Sequence, residues 1–289
     1  MESPNSKVSV VYLIWPPYGV ELFRNFLISY KKYSPGFEHN LVLLFNGATD
    51  LDDTEPFREI SRQFNLSCDS ISKQSSLDLE AYFWVAKQFN STYFLFLNSF
   101  CVILDDNWLL KLIKHMNDAR VGIVSPSGSY QSFYNTVFLN NSWKWNNHQS
   151  LKENYLKYKL LIKAVLYWRF LFPPFPNPHI RTNAFLIRRE LFLSLKRKKI
   201  RNKFMAYRLE SGYNSITRQI IKKGYDVLIV DKGGRAYKIK EWNSTKIFWK
   251  GKQEDLLISD KQTEYYLSSN EKTKNELSYL AWGKSNKIE

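Results

Sequence analysis

Short, almost wholly apolar runs alternate with longer amphipathic ones along the first half of this 289-residue chain. VSVVYLIW (8–15), NLVLLFNG (40–47) and TYFLFLNS (92–99) are β-branched or aromatic and nearly uncharged, the pattern of strands buried on both faces. Between the first two, VELFRNFLISYKKY (20–33) places Leu22, Phe23, Phe26, Leu27 and Tyr30 at three- and four-residue steps, which predicts an amphipathic helix. Further helices are expected at 54–64, 76–89 and 107–116, the last capped by Asp105 or Asp106. Further strands are expected in NLSCDSIS (65–72) and VGIVSPSGS (121–129). Buried strands alternating with helices predict an α/β domain built on a mostly parallel sheet.

The rhythm breaks after Ser129. Residues 130–178 are aromatic, Asn-rich and then basic-amphipathic, ending in FPPFPNP, and predict an insertion that carries one long helix, 151–172. The alternation resumes with RTNAFLIRRELFLSL (181–195), a strand running into a helix, and with LESGYNSITRQIIKKGYDVLIVD (209–231), a helix and then a strand. The expected organisation is one α/β domain over 1–235, containing the insertion, with a C-terminal arm, 236–289, packed on the same domain.

Charge narrows the range of partners. The 42 Lys+Arg against 27 Asp+Glu give a formal charge of +15, which favours polyanions, anionic membrane surfaces or phosphorylated substrates. Nucleic acid is not expected, because charge alone points to it and no compact basic-aromatic platform accompanies it. The 9 Trp, 18 Tyr and 20 Phe suit either extra core packing or a site for sugar or base rings. Cys68 and Cys101 have no metal-type spacing and read as a reduced, cytosolic pair. MESPNSKVSVVYLIW has no signal-peptide pattern. LKYKLLIKAVLYWRFLF (156–172) is interrupted by Lys157, Lys159, Lys163 and Arg169, which argues against a transmembrane helix. That segment suits an anionic membrane interface or a core helix. The expected location is cytoplasmic, with peripheral contact on the inner face of a membrane.

Ligands of open α/β sheets sit beyond the carboxyl ends of the strands. Here those ends are Trp15-Pro16-Pro17, Asn46-Gly47, Asn98-Ser99-Phe100 and Ser125-Pro126-Ser127. No GxGxxG follows the first strand, and no GxxxxGK[ST] or GxSxG occurs, so the common dinucleotide, Walker-type and hydrolase sites are unsupported. No two His have metal-ligand spacing.

The order strand–helix–strand–helix–strand, with YFLFLNSFCVILDDNWLLKL at its centre, resembles the nucleotide-sugar domain of GT-A glycosyltransferases, family 2 in particular. The resemblance covers roughly 8–127 and 180–235. It implies a GT-A-like, Rossmann-like fold with a nucleotide-sugar donor and a saccharide or lipid-linked acceptor. The family's nucleoside-reading acidic turn falls on Phe45-Asn46-Gly47-Ala48-Thr49-Asp50, and its metal-binding DxD tip on Asn98-Ser99-Phe100. Asn is a weaker ligand for a hard cation than a carboxylate, and Phe is none. Mg²⁺ or Mn²⁺ is therefore not expected at that tip, no metal ligand is nominated, and the diphosphate must meet cationic side chains instead.

Arg181, opening the strand RTNAFLI, and Lys250 or Lys252, where the family folds a C-terminal loop over the diphosphate, are the expected cations. Glu210 aligns with the family's acidic acceptor motif at a helix start and is expected to be the catalytic base of an inverting transfer. The motif's later acidic position falls on Asn214. Asp78 matches a donor-pocket position, its competing role being an N-cap. Asn46, Asn98 and Ser99 are expected around nucleotide and sugar, and Asn183 and His179 near sugar hydroxyls. The function implied is sugar transfer in cell-surface polysaccharide assembly. The alternative is an inactive relative that binds saccharide, membrane or a partner transferase.

Overall fold

The computed structural model describes residues 7–48, 53–139 and 150–283. Thr49 and Asp50 of the expected nucleoside-reading turn lie outside the described residues, as do the middle of the insertion and both chain ends. The strands are β1 (Val8–Ile14), β2 (Asn40–Asn46), β3 (Asp69–Lys73), β4 (Tyr93–Leu97), β5 (Val102–Ile103), β6 (Val121–Ser125), β7 (Gly128–Ser129), β8 (His179–Ile180), β9 (Ala184–Arg188), β10 (Asp226–Val230), β11 (Ala236–Lys238) and β12 (Ile258–Ser259). The helices are α1 (Glu21–Lys32), α2 (Glu55–Gln63), α3 (Asp78–Gln88), α4 (Trp108–Ile113), α5 (Phe133–Leu139), α6 (Leu151–Leu166), α7 (Arg189–Leu193), α8 (Lys203–Ser211), α9 (Ile216–Lys222), α10 (Lys261–Ser268) and α11 (Glu271–Trp282).

Eight strands form one sheet in the order β11-β10-β6-β9-β4-β1-β2-β3. β3, β2, β1 and β4 run parallel, as do β6 and β10; β9 is antiparallel to β4 and β6, and β11 to β10. Successive side chains of a strand point to opposite faces, so each central strand feeds two cores. Val11, Leu13, Val42 and Leu44 pack with α3, α7, α8 and α9. Val10, Tyr12, Leu41, Leu43 and Phe45 pack with α1, α2 and α4. A mostly parallel α/β sheet covered on both faces is the fold class expected.

Several local expectations are corrected. Neither Asp105 nor Asp106 caps α4; Asn107 stands at that position in a left-handed conformation (φ 56°), with no side-chain cap. Asp105 instead pairs with Lys111 at 2.6 Å, and Asp106 accepts the Ser34 amide at 2.8 Å. The strand expected over 121–129 breaks after Ser125. Gly128–Ser129 pairs with β8 in a separate two-stranded ribbon, because Ser125 Oγ turns back to the Ser127 carbonyl at 2.7 Å. The helix expected over 151–172 ends at Leu166, followed by a 3-10 turn at Trp168–Phe170.

The C-terminal segment is woven into the body of the protein. Trp242, Phe248, Trp249 and Trp282 are buried in the same cluster as β1 and α3, and β12 pairs with β5. No helix among the described residues is long and apolar enough to cross a membrane.

Candidate active site

Strand order reverses at β1: β2 and β3 lie on one side of it and β4 on the other. A crevice must open above the carboxyl ends at such a reversal. A cleft of about 920 Å³ lies there, within the range of small-molecule sites. Its walls come from Trp15 and Tyr18 after β1, Lys73 at the end of β3 and residues 74–77 after it, Ser99 and Phe100 after β4, Thr182 before β9, and Glu210 of α8.

Trp15 reaches this position because residue 47 is glycine. Gly47 has φ +91°, and a Cβ there would lie 2.4 Å from the Trp15 ring. Only glycine combines that conformation with that closeness. Tyr18 stacks obliquely on Phe100, centroids 5.1 Å apart, and is half exposed. Together with Trp15 and Trp84 these rings give the cleft an aromatic side, suited to the faces of a base or a sugar.

Three carboxylates line the cleft, and with Glu80 paired to Arg197, Asp78 and Glu210 are the two left to face it. Asp78 is the first residue of α3 but not its cap, a position taken by Leu77 without any side-chain bond. Capping therefore does not account for an acid here. The walls around Asp78 push its carboxyl up from the usual range by desolvation, and the charge of Glu210 pushes the same way, while its own backbone amide opposes both. By accessible surface Asp78 is exposed, since it faces the mouth of the cleft. The upward push is that of concave protein mass, and it would grow once a ligand excluded water.

Glu210 lies in the last turn of α8, not at the helix start expected from sequence; the next helix begins only after the Ser215 cap. An acid at the carboxyl end of a helix opposes the macrodipole, so the dipole gives no structural reason for it. The Thr182 amide donates to Glu210 Oε1 at 3.2 Å, the one hydrogen bond of this carboxylate among the described residues. His179, which donates Nδ1–H to the Asn177 carbonyl at 2.8 Å, is buried behind it. Burial lowers the His179 pKa while the Glu210 charge opposes that shift, and the ring is not among the residues lining the cleft.

The other residues expected at the site are placed as follows. Asn46 is buried, accepting from the Ser76 amide at 3.0 Å and donating to its carbonyl at 2.7 Å. It fixes the loop that delivers Asp78 and does not itself line the cleft. Ser99 lines the cleft, but its hydroxyl donates to the Leu13 carbonyl at 2.8 Å. Asn98 turns inward, its Oδ1 accepting the Phe100 amide at 3.0 Å and the Cys101 thiol at 3.4 Å. Asn183 is buried beside it, its carbonyl taking the Asn98 amide at 2.9 Å. The β4 tip thus offers a hard divalent cation an engaged amide, an engaged hydroxyl and a phenyl ring. These donors do not fit Mg²⁺ or Mn²⁺, and no cluster of three or more His, Cys, Asp or Glu suited to a metal occurs among the described residues.

Arg181 and Lys250 do not join the cleft. Arg181 pairs with Asp260 at 2.9 Å and stacks on Phe248 at 4.0 Å. Asp260 also caps α10 through the Gln262 and Thr263 amides at 2.8 and 2.9 Å. The pair therefore anchors the C-terminal segment, which is why an arginine opens an apolar strand. Lys250 gives its ammonium to Asn243. Replacing Arg181 with methionine strands a buried carboxylate, so chemical unfolding should show a loss of about 3 kcal/mol with donor affinity unchanged.

The cations that do line the cleft are Lys73, Lys199, Arg201 and Lys203. Three of them come from KRKKIRNK (196–203), in which six of eight residues are basic. The loop is anchored rather than loose. Arg197 pairs with Glu80 of α3 at 2.5 Å, and the Ile200 amide donates to the same carboxylate at 3.0 Å. That fastening turns Lys199, Arg201 and Lys203 toward the cleft, where they make no ion pair among the described residues. Sequence reasoning passed over this run because a cluster of like charges ordinarily marks a solvated face. Its one signal was Ile200, an apolar residue inside the run, which is buried and pins the loop down.

No family model and no curated protein matches this chain. Among solved structures, it is similar over 41% of its length to Staphylococcus aureus TarS 1–349 in complex with UDP-GlcNAc, at 20% identity and a TM-score of 0.32, covering 33% of that chain. Over 96% of its length it is similar to the apo structure of WbbM, a bifunctional glycosyltransferase, at 12% identity and a TM-score of 0.41, covering 44% of that chain. A cytidylyltransferase from Leptospira borgpetersenii serovar Hardjo-bovis matches over 41% of this chain and 53% of its own, at 16% identity and a TM-score of 0.32. This chain thus spans about half or less of the length of each. Likeness that low leaves the reading of the cleft to the cleft's own residues.

Proposed function

We propose that this protein is a glycosyltransferase that uses a nucleotide-diphosphate sugar, with Glu210 as the base and the cations of residues 199–203 facing the diphosphate. The observation that carries the reading is convergence in one cleft at the strand-order reversal. A carboxylate with one oxygen held by Thr182, a second carboxylate at Asp78, an aromatic side and four cations all face it. That is the equipment for placing a diphosphate against cations while a hydroxyl loses its proton to an acid residue.

In this reading the acceptor hydroxyl gives its proton to Glu210 as its oxygen bonds to the anomeric carbon. The bond from that carbon to the phosphate oxygen breaks, and its electron pair leaves with the nucleoside diphosphate. Lys199, Arg201 and Lys203 meet the charge that develops there. Attack from the face opposite the leaving group inverts the anomeric centre. No step is routed through a metal, because the β4 tip does not fit one. The acceptor is a saccharide or lipid-linked saccharide of the kind used in cell-surface polysaccharide assembly.

One observation favours a binding protein without turnover: the side-chain oxygen of Asn98 and the hydroxyl of Ser99 are engaged by the framework. Titration calorimetry with UDP, GDP and dTDP, each with Mn²⁺ and with chelator, separates the possibilities. We expect one nucleotide to bind equally well in both conditions. Binding only with Mn²⁺ would remove the metal-free reading, and no binding at all would remove the transferase.

A further inference from the structure

Helix α6 is started firmly but covered poorly. Ser150 and Glu153 form a reciprocal capping box, the Ser150 hydroxyl accepting the Glu153 amide at 3.2 Å and Glu153 accepting the Ser150 amide at 2.9 Å. Asn154 is buried, and its side-chain amide donates to the Ser150 carbonyl at 3.3 Å. On the neighbouring face, about a quarter turn round the helix from Asn154, Leu151, Tyr155, Ile162 and Leu166 are 77, 68, 55 and 67% exposed. Their spacing of 4, 7 and 4 residues puts them on one continuous stripe. Tyr167 and Phe170, just past the helix, extend it, with Phe170 74% exposed.

The flanking chemistry is one-sided. Lys152, Lys159 and Lys163 form an adjacent exposed stripe along the same helix. The helix contains a single acid, Glu153, and that carboxylate is already engaged in the cap. An apolar stripe bordered by lysines matches the interface of an anionic bilayer, where rings and aliphatic chains enter the headgroup boundary and lysines meet lipid phosphates. A second copy of this chain is the competing occupant, since the stripe has the spacing of a helix–helix seam. Pairing two copies would set the lysine rows near one another with no free α6 acid between them, which is unfavourable.

We infer that α6 docks this protein on an anionic lipid surface. The inference does not depend on what the cleft does. It fits a lipid-linked acceptor, however, because the end of α6 rests on α8: Tyr167 and Trp168 lie 6.5 and 6.3 Å from the Phe204 ring, and α8 carries Glu210 in its last turn. A bilayer under α6 therefore brings the cleft close to that surface.

Vesicle sedimentation of the full chain at physiological salt tests it, with phosphatidylcholine vesicles against vesicles containing three parts in ten of phosphatidylglycerol. Wild type is expected to pellet with the anionic vesicles and stay in solution with the neutral ones. Lys152→Gln, Lys159→Gln and Lys163→Gln together should weaken anionic partitioning by roughly a hundredfold, about fivefold per lysine. Ile162→Asp with Leu166→Asp should abolish it, leaving the melting temperature and nucleotide binding of the cleft unchanged, because both side chains are exposed. Unaltered pelleting of the lysine variant would overturn the proposal. So would no pelleting by wild type, including the case where sedimentation equilibrium finds a dimer that Ile162→Asp with Leu166→Asp dissociates.

Discussion

Replacing Glu210 with glutamine is expected to slow sugar transfer by about a thousandfold while leaving nucleotide affinity within a factor of two. General-base catalysis contributes roughly 10²–10⁴ in rate, and the amide keeps the shape of the side chain without its proton affinity. Glutamine can still accept the Thr182 amide that Glu210 now holds at 3.2 Å, so the loop before β9 should stay in place. The decisive comparison is kcat against donor affinity measured by calorimetry on the same preparation. Transfer that persists in Glu210→Gln removes this residue from the base role. Loss of donor binding alongside turnover would mean that the carboxylate organises the cleft rather than the chemistry.

The second large effect is expected in the basic loop. Changing Lys199, Arg201 and Lys203 together to glutamine should raise the donor KM by roughly a hundredfold. Hydrogen bonds to charged groups contribute about 1.5–3 kcal/mol each when shielded, but these three side chains are exposed. About 1 kcal/mol apiece is the fair figure, and rising salt should erode the wild-type affinity toward that of the variant. Arg197 must be left intact, since its contact with Glu80 holds the loop to α3. Lys250→Gln serves as the control. It removes a cation that the notion of a covering C-terminal loop would favour, yet its ammonium is spent on Asn243. An unchanged KM in the triple variant, with a raised one in Lys250→Gln, would return the diphosphate to the C-terminal segment.

The large elements were legible because burial writes itself into local composition. β1, β2 and β4 lie between two layers of helix and so carry no charge, and α1 shows its buried stripe at the helical period. Errors gathered where a neighbour far away in the chain decided the outcome. Asp106 has the right type and place for a cap, yet Ser34 claims it. Arg181 looked like a phosphate ligand because it opens an otherwise apolar strand, whereas Asp260 pairs with it across the fold. Glu210 was expected at a helix start, but α8 runs on to Ser211 and the next helix begins only after the Ser215 cap, which reverses its position relative to the dipole.

By itself, the sequence determined the layered α/β sheet, the positions of most of its strands, and the strong positive charge, since hydrophobic period and composition are properties of consecutive residues. Only the tertiary structure decided which acids share a cleft, which cations remain free to face it, and that the Asn98 side-chain oxygen and the Ser99 hydroxyl at the β4 tip turn to the framework. Those outcomes depend on ion pairs and hydrogen bonds between segments tens of residues apart, and such pairings leave no periodic trace in a single chain.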